Sequence, residues 1–106
     1  MKTMMEALIE LDACDLAKAW LEDNKIEDFR TAWIQCHRGD WMSWLLDKVA
    51  RVRLTKEFEA AREVYWRTIG DEHSLEVCQR IWADCIRCAI PWATLAPHLK
   101  MRGLDG

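Results

Sequence analysis

The stretch Trp33-Ile34-Gln35-Cys36-His37-Arg38-Gly39-Asp40-Trp41-Met42-Ser43-Trp44-Leu45-Leu46 decides how this chain folds. Behind it, Ile26, Phe29, Trp33 and Cys36 recur at i, i+3, i+7 and i+10, one stripe of an α-helix. Gly39 suits the left-handed position just past a helix end, because it has no Cβ to clash. Asp40 then reads as an N-cap, its carboxylate accepting the orphan N–H groups of the next turn. Ahead of it, Trp41, Met42, Trp44, Leu45, Leu46, Val49 and Val52 cover roughly 200° of a second helix. Ser43, Asp47 and Arg51 are its polar stripe. A helix this apolar belongs at the centre of its neighbours. The expected fold is all-α: a compact bundle of five or six short helices around a central helix near residues 41–53.

Working outward, Thr3 and Glu6 have capping-box spacing and start a helix over 4–11. Asp12 caps a second over 13–23, with Ala13, Leu16, Ala17, Trp20 and Leu21 inward. The hairpin of helices near 26–37 and 41–53 follows. Thr55 caps a helix to about residue 68, whose inner stripe is Phe58, Ala61, Tyr65 and Ile69. The next helix, 74–90, starts from Asp71 or Ser74; Leu75, Cys78, Ile81, Trp82, Cys85, Ile86, Cys88 and Ala89 share one arc of it. Pro91 stops that helix or begins a last short one through Trp92, Leu95 and Leu99. His73 and His98 are expected to be exposed.

One domain, 1–106, fits the length, and 51% hydrophobic with 31% charged residues is an ordinary globular balance. No apolar run approaches the ~20 residues that span a bilayer, and no signal-peptide pattern opens the chain. The expectation is a cytoplasmic protein without membrane contact. Residues 1–30 hold eight acids and four bases, whereas residues 31–106 hold ten acids and eleven bases. That balance argues against a general nucleic-acid binder, which needs a basic face. The exception is the cluster Lys48, Arg51, Arg53 and Lys56, whose simpler reading is cations at a helix C-terminus.

The chemistry-bearing residues form no convincing catalytic set, so the chain is read as a non-enzyme with no cofactor. Five cysteines in a reducing compartment are free thiols that pack as small apolar residues. Cys36-His37 with Cys85-x2-Cys88 has the ligand types for zinc, yet Cys85 and Cys88 fall mid-helix with no glycine-bearing knuckle, and core packing is the expected role. Helix neighbours point about 100° apart, so Cys36 beside His37 makes no catalytic pair. Arg38-Gly39-Asp40 matches an adhesion tripeptide by letters only.

Seven tryptophans are the anomaly. Trp20, Trp33, Trp41, Trp44 and Trp82 sit on expected inner faces. Trp66 lies at the margin of its helix stripe beside Arg62 and Arg67, and Trp92 follows the Pro91 break. These four, Arg62, Trp66, Arg67 and Trp92, are the candidate partner-binding residues, since exposed Trp and Arg dominate interface energetics.

The run Trp33, Cys36, Arg38, Gly39, Asp40, Trp41 and Trp44, written W-x2-C-x-R-G-D-W-M-x-W-L-L, resembles a motif of small uncharacterised phage and bacterial proteins. Some of those carry an immunity-protein label. The likeness is close over Trp33–Leu46 and loose over Cys14–Trp20 and Cys85–Pro91; Ser43 stands where many such sequences have an aliphatic residue. The resemblance implies no activity. With it, the expected function is a small protein-binding module, a phage-encoded modulator or inhibitor of a host defence protein acting in the host cytoplasm. The alternatives are a nucleic-acid-associated regulator using Lys48–Lys56 and a Cys/His metal-binding enzyme or sensor.

Overall fold

Three helix starts are written plainly in the chain. Thr3 Oγ1 accepts the Glu6 N–H at 3.1 Å, Asp28 Oδ1 accepts the Thr31 N–H at 2.7 Å, and Ser74 Oγ accepts the Val77 N–H at 3.4 Å. Each supplies an acceptor to an otherwise orphan donor. The computed structural model describes residues 3–50, 53–72 and 74–104. Arg51, Val52 and His73, which the sequence reading had placed on the central helix, in the basic cluster and in a loop, lie outside them.

Seven helices and no strands stand among the described residues: α1 (Met4–Glu10), α2 (Asp15–Asp23), α3 (Phe29–Gln35), α4 (Gly39–Val49), α5 (Thr55–Ile69), α6 (Leu75–Ala89) and α7 (Trp92–Met101). The class is as expected, but the helices outnumber the expected five or six, because the segment after Pro91 forms a full ten-residue helix. A radius of gyration of 13.6 Å is that of a compact chain of this length, about 13 Å.

The turns correct the sequence reading in an instructive way. Asp12, expected to cap α2, instead takes φ 65° and closes α1: Asp12 N–H donates to Ile9 O and Ala13 N–H reaches back to Leu8 O at 2.9 Å. Lys25 does the same for α2 at φ 55°, with Ile26 N–H on Leu21 O at 2.9 Å. Both are Schellman-type closures made without glycine. Gly39 is no left-handed terminator at all. α3 ends at Cys36 in extended backbone, and Gly39 is the first residue of α4. Glycine is required there for space: a Cβ would sit 2.6 Å from the Trp82 Cβ and overlap the near edge of its indole. Asp40 likewise is inside α4 rather than at its cap position, which Arg38 holds, while its Oδ1 accepts the Trp41 N–H at 2.9 Å. Its N–H donates to Gln79 Oε1 at 2.9 Å, so a side chain of α6 takes up an N-terminal donor of α4.

The hub also differs from expectation. α6 packs along both α5 and α4, so it, rather than the 41–53 region, is the shared helix. Its Ala83 and Ile86, with Ile90 and Leu95 beyond, are fully buried, and Ala61 and Leu99 nearly so. The arc expected to face inward frays at its ends: Leu75 is 74% exposed and Cys88 is exposed. On α2, Leu16 is exposed rather than inward. His98 is half-buried rather than exposed, its Nδ1 enclosed without a protein partner.

The short α3 is tied down from a distance. The buried Trp33 Nε1–H donates to Ile90 O at 3.0 Å. Arg87 Nη1 donates to Trp33 O at 2.8 Å and Cys36 O at 2.9 Å, while its Nη2 pairs with Asp84 at 2.8 Å. One guanidinium thus satisfies two carbonyls at the helix end that would otherwise lack donors.

Candidate functional site

Where α1, α2, α3 and α4 meet, the small residues Ala13, Ala17 and Ala32 line a hollow together with the large rings of Trp20, Trp41 and Trp44. The result is an open apolar cleft of about 70 Å³ floored by Phe29, Trp33 and Met42. The sequence reading had placed Trp20, Trp33, Trp41, Trp44 and Trp82 in the core. Only Trp33 is fully enclosed, at 3% exposure; the other four are half-buried against the core. The signal that marks the cleft is in the alanines, which helix-wheel reasoning counts as inward without asking what volume they leave.

The cleft wall is held in place. The Arg38 guanidinium lies 4.4 Å from the Trp41 ring centre and makes two bonds to Asp40, 3.1 and 2.7 Å. This pairing holds Arg38 more firmly charged than usual, its side-chain bond to Asp40 outweighing partial burial. Trp41 meets Trp20 at 5.8 Å in a tilted pair. Behind them Cys36 is buried, its thiol donating to Arg38 O and accepting the Arg38 N–H, both at 3.4 Å. Burial pushes that thiol above the ordinary range, with the Arg38 backbone bond and the Arg87 charge opposing. The residues Trp33, Cys36, Arg38, Gly39, Asp40, Trp41 and Trp44 thus share one neighbourhood as structure: floor, wall, brace and close approach.

The second region is the α5–α6 pair. Phe58, Trp82, Tyr65 and Trp66 form an aromatic row, with successive ring separations of 5.4, 5.2 and 5.1 Å. Trp66 ends the row at 62% exposure. Arg62 and Arg67 are exposed on the same helix; Arg67 Nε donates to Glu63 O at 3.4 Å, and Arg62 edges a groove lined by Ser43, Asp47 and Glu59. Trp92 is not part of this edge: it is half-buried against the core at the start of α7.

The metal candidates are not assembled. Among the described residues no three His, Cys, Asp or Glu side chains could hold one ion. Cys36 is buried while the adjacent His37 is exposed, and Cys85 is buried while Cys88 faces solvent. Burial raises the Cys85 thiol, with Cys88 and Asp84 adding to it. The basic cluster gains a member that the sequence did not suggest. Arg102 Nη2 donates to the Lys48 carbonyl, bringing the end of α7 beside the end of α4, with Lys48, Arg53 and Lys56 exposed nearby in sequence. No helix of the described residues is long and apolar enough to cross a membrane.

Comparison with protein-family models, curated proteins and solved structures returns no match for this chain.

Proposed function

We propose that this chain is a small protein-binding module that modulates another protein, with Trp66 as an anchor. The observation that carries it is a tryptophan 62% exposed on α5, flanked by the exposed Arg62 and Arg67. An indole left in water has apolar area to bury and an N–H to donate, and Trp with Arg is the pairing that dominates interface hot spots. The resemblance of the Trp33–Leu46 motif to small phage and bacterial proteins implies no activity, but it makes a host protein the partner we would look for first. Capture from a host lysate identifies the partner; its dissociation constant is then measured against Trp66→Ala and Arg62→Ala. Weakening beyond about 1 kcal/mol, with the fold intact, is expected. Unchanged affinity in both variants removes this surface from the reading.

A second reading has its own observation, the convergence of Arg102 on the Lys48 end of α4. A nucleic-acid regulator would use this end. Its mark is binding that falls steeply with salt and with Lys48→Glu.

A further inference from the structure

The ends of α4 and α7 and the turn before α5 bring three cations to one place and leave their charge uncompensated. Lys48, Arg53 and Arg102, all exposed, line an open groove of about 370 Å³ in which Asp47 is the one carboxylate among the described residues. Their backbone is fixed. Arg53 N–H donates to Ala50 O at 3.1 Å in the turn that closes α4. α7 closes with Gly103 at φ 74° and Leu104 N–H on Leu99 O at 2.9 Å, pinned by the buried Leu104 side chain. Their side chains are held by neutral groups: the Arg102 guanidinium by the Lys48 carbonyl, Arg53 Nη1 by the Met101 sulfur at 3.1 Å, and the Lys48 ammonium 5.9 Å from the Trp44 ring centre. Elsewhere Lys18, Arg38, Arg80 and Arg87 each sit against a carboxylate. The three at the groove form no ion pair among the described residues.

Cations at helix C-termini have a simpler role, which is to offset the dipole, but it does not absorb these three. Two helix ends carry roughly half a negative charge each, and with Asp47 they still leave positive charge over in the groove. A guanidinium keeps N–H donors to spare after one contact, so a fixed groove of this kind is made for an oxyanion. Charge and size decide which one. A carboxylate brings a single charge on two oxygens, whereas a phosphate ester brings about −1.5 to −2 on three. The groove's volume of about 370 Å³ is at the low end of the roughly 300–1,000 Å³ of small-ligand sites. A nucleic-acid module buries roughly 600–1,000 Å², and three cations on a chain of net charge −3 do not supply a face of that extent. We infer that the groove between the ends of α4 and α7 binds a small phosphate-bearing ligand, taken by its phosphate on Lys48, Arg53 and Arg102. This goes beyond both readings above, since it needs neither the Trp66 anchor nor a nucleic-acid strand.

Titration calorimetry of the full chain with inorganic pyrophosphate, at fixed ionic strength, tests this. Pyrophosphate should bind saturably at one equivalent per chain. Citrate, which carries a similar charge on carboxylates, should bind at least about tenfold more weakly. Arg53→Gln should weaken pyrophosphate by about tenfold or more, the loss of one charged hydrogen bond. Its melting temperature should hold, because the contact given up is to a thioether. Arg102→Gln should weaken binding similarly; since Arg102 also ties α7 to α4, its melting temperature is read alongside, and Arg53→Gln decides if that falls. Arg80→Gln removes the same charge where Glu76 already offsets it, and should change the affinity by less than about twofold. No saturable binding, citrate as tight as pyrophosphate, or unchanged affinity in Arg53→Gln overturns the inference. So does a thymidine oligonucleotide without terminal phosphates that binds far more tightly than pyrophosphate and is lost in the same variants, which would make the groove a strand contact and favour the second reading.

Discussion

The cleft and the α5 edge use the same amino acid in opposite ways. In the cleft, three half-buried tryptophans are arranged concavely and braced by neighbours: Arg38 on Trp41, Trp20 against Trp41, and Lys48 5.9 Å from the ring of Trp44. On α5, Trp66 stands outward at the end of an aromatic row, with one ring contact to Tyr65. A concave, braced surface selects what enters it. A convex, exposed ring must find a pocket elsewhere. The difference shows that tryptophan content alone carries no functional meaning; the residues opposite each ring decide it.

The largest effect expected separates the cleft floor from its wall. Trp33→Ala should cost about 3–5 kcal/mol in chemical unfolding, since it empties an enclosed site and strands the Ile90 carbonyl. Trp44→Ala should cost less than half of that, because the ring is already part-solvated. Equal losses would make the cleft closed core. Next comes the contact joining the two regions, Gly39 against Trp82. Gly39→Ala should destabilise by about 1–3 kcal/mol through overpacking. Gly39→Asn, which a left-handed helix cap tolerates, should be worse than alanine here; if it is milder, the close approach is not what excludes a side chain. Trp66→Ala should shift stability by no more than about 0.5 kcal/mol, as for other surface changes, and a loss like that of Trp44→Ala would return Trp66 to the core. Smallest of all is thiol modification. Cys14 and Cys88 are exposed and should label first at pH 8 without moving the melting temperature. Cys36 should label last, being buried and, with its raised pKa, poor in the reactive thiolate.

The helices were legible because their signals are local: caps at Thr3 and Ser74, and apolar spacing along α5 and α6; the Asp28 cap was not, because the stripe beginning at Ile26 puts the start of α3 three residues early. Chain reversals were less so. Gly39 looks like a helix terminator in one dimension, but its meaning lies in Trp82, 43 positions away, and spacing does not encode that encounter. Asp12 and Lys25 take the left-handed turns that a reader assigns to glycine, because the backbone bonds to Leu8 and Leu21 carry those closures. The edge position of Trp66 follows from its place on the α5 wheel. The cleft does not follow from any wheel, since it arises from volumes contributed by four helices at once.

The long-range ties of α3 also set an order in time. Its indole and its last carbonyls find their partners 57, 54 and 51 residues further along the chain. Seven residues are too few to sustain a helix unaided in water, and closing loops of that length carries an entropic cost that only wide packing offsets. During synthesis, residues 29–36 therefore wait for Arg87 and Ile90 to emerge. The cleft, whose floor includes Phe29 and Trp33, is among the last parts of the molecule to be completed. A nascent chain stopped before Arg87 has no finished hollow.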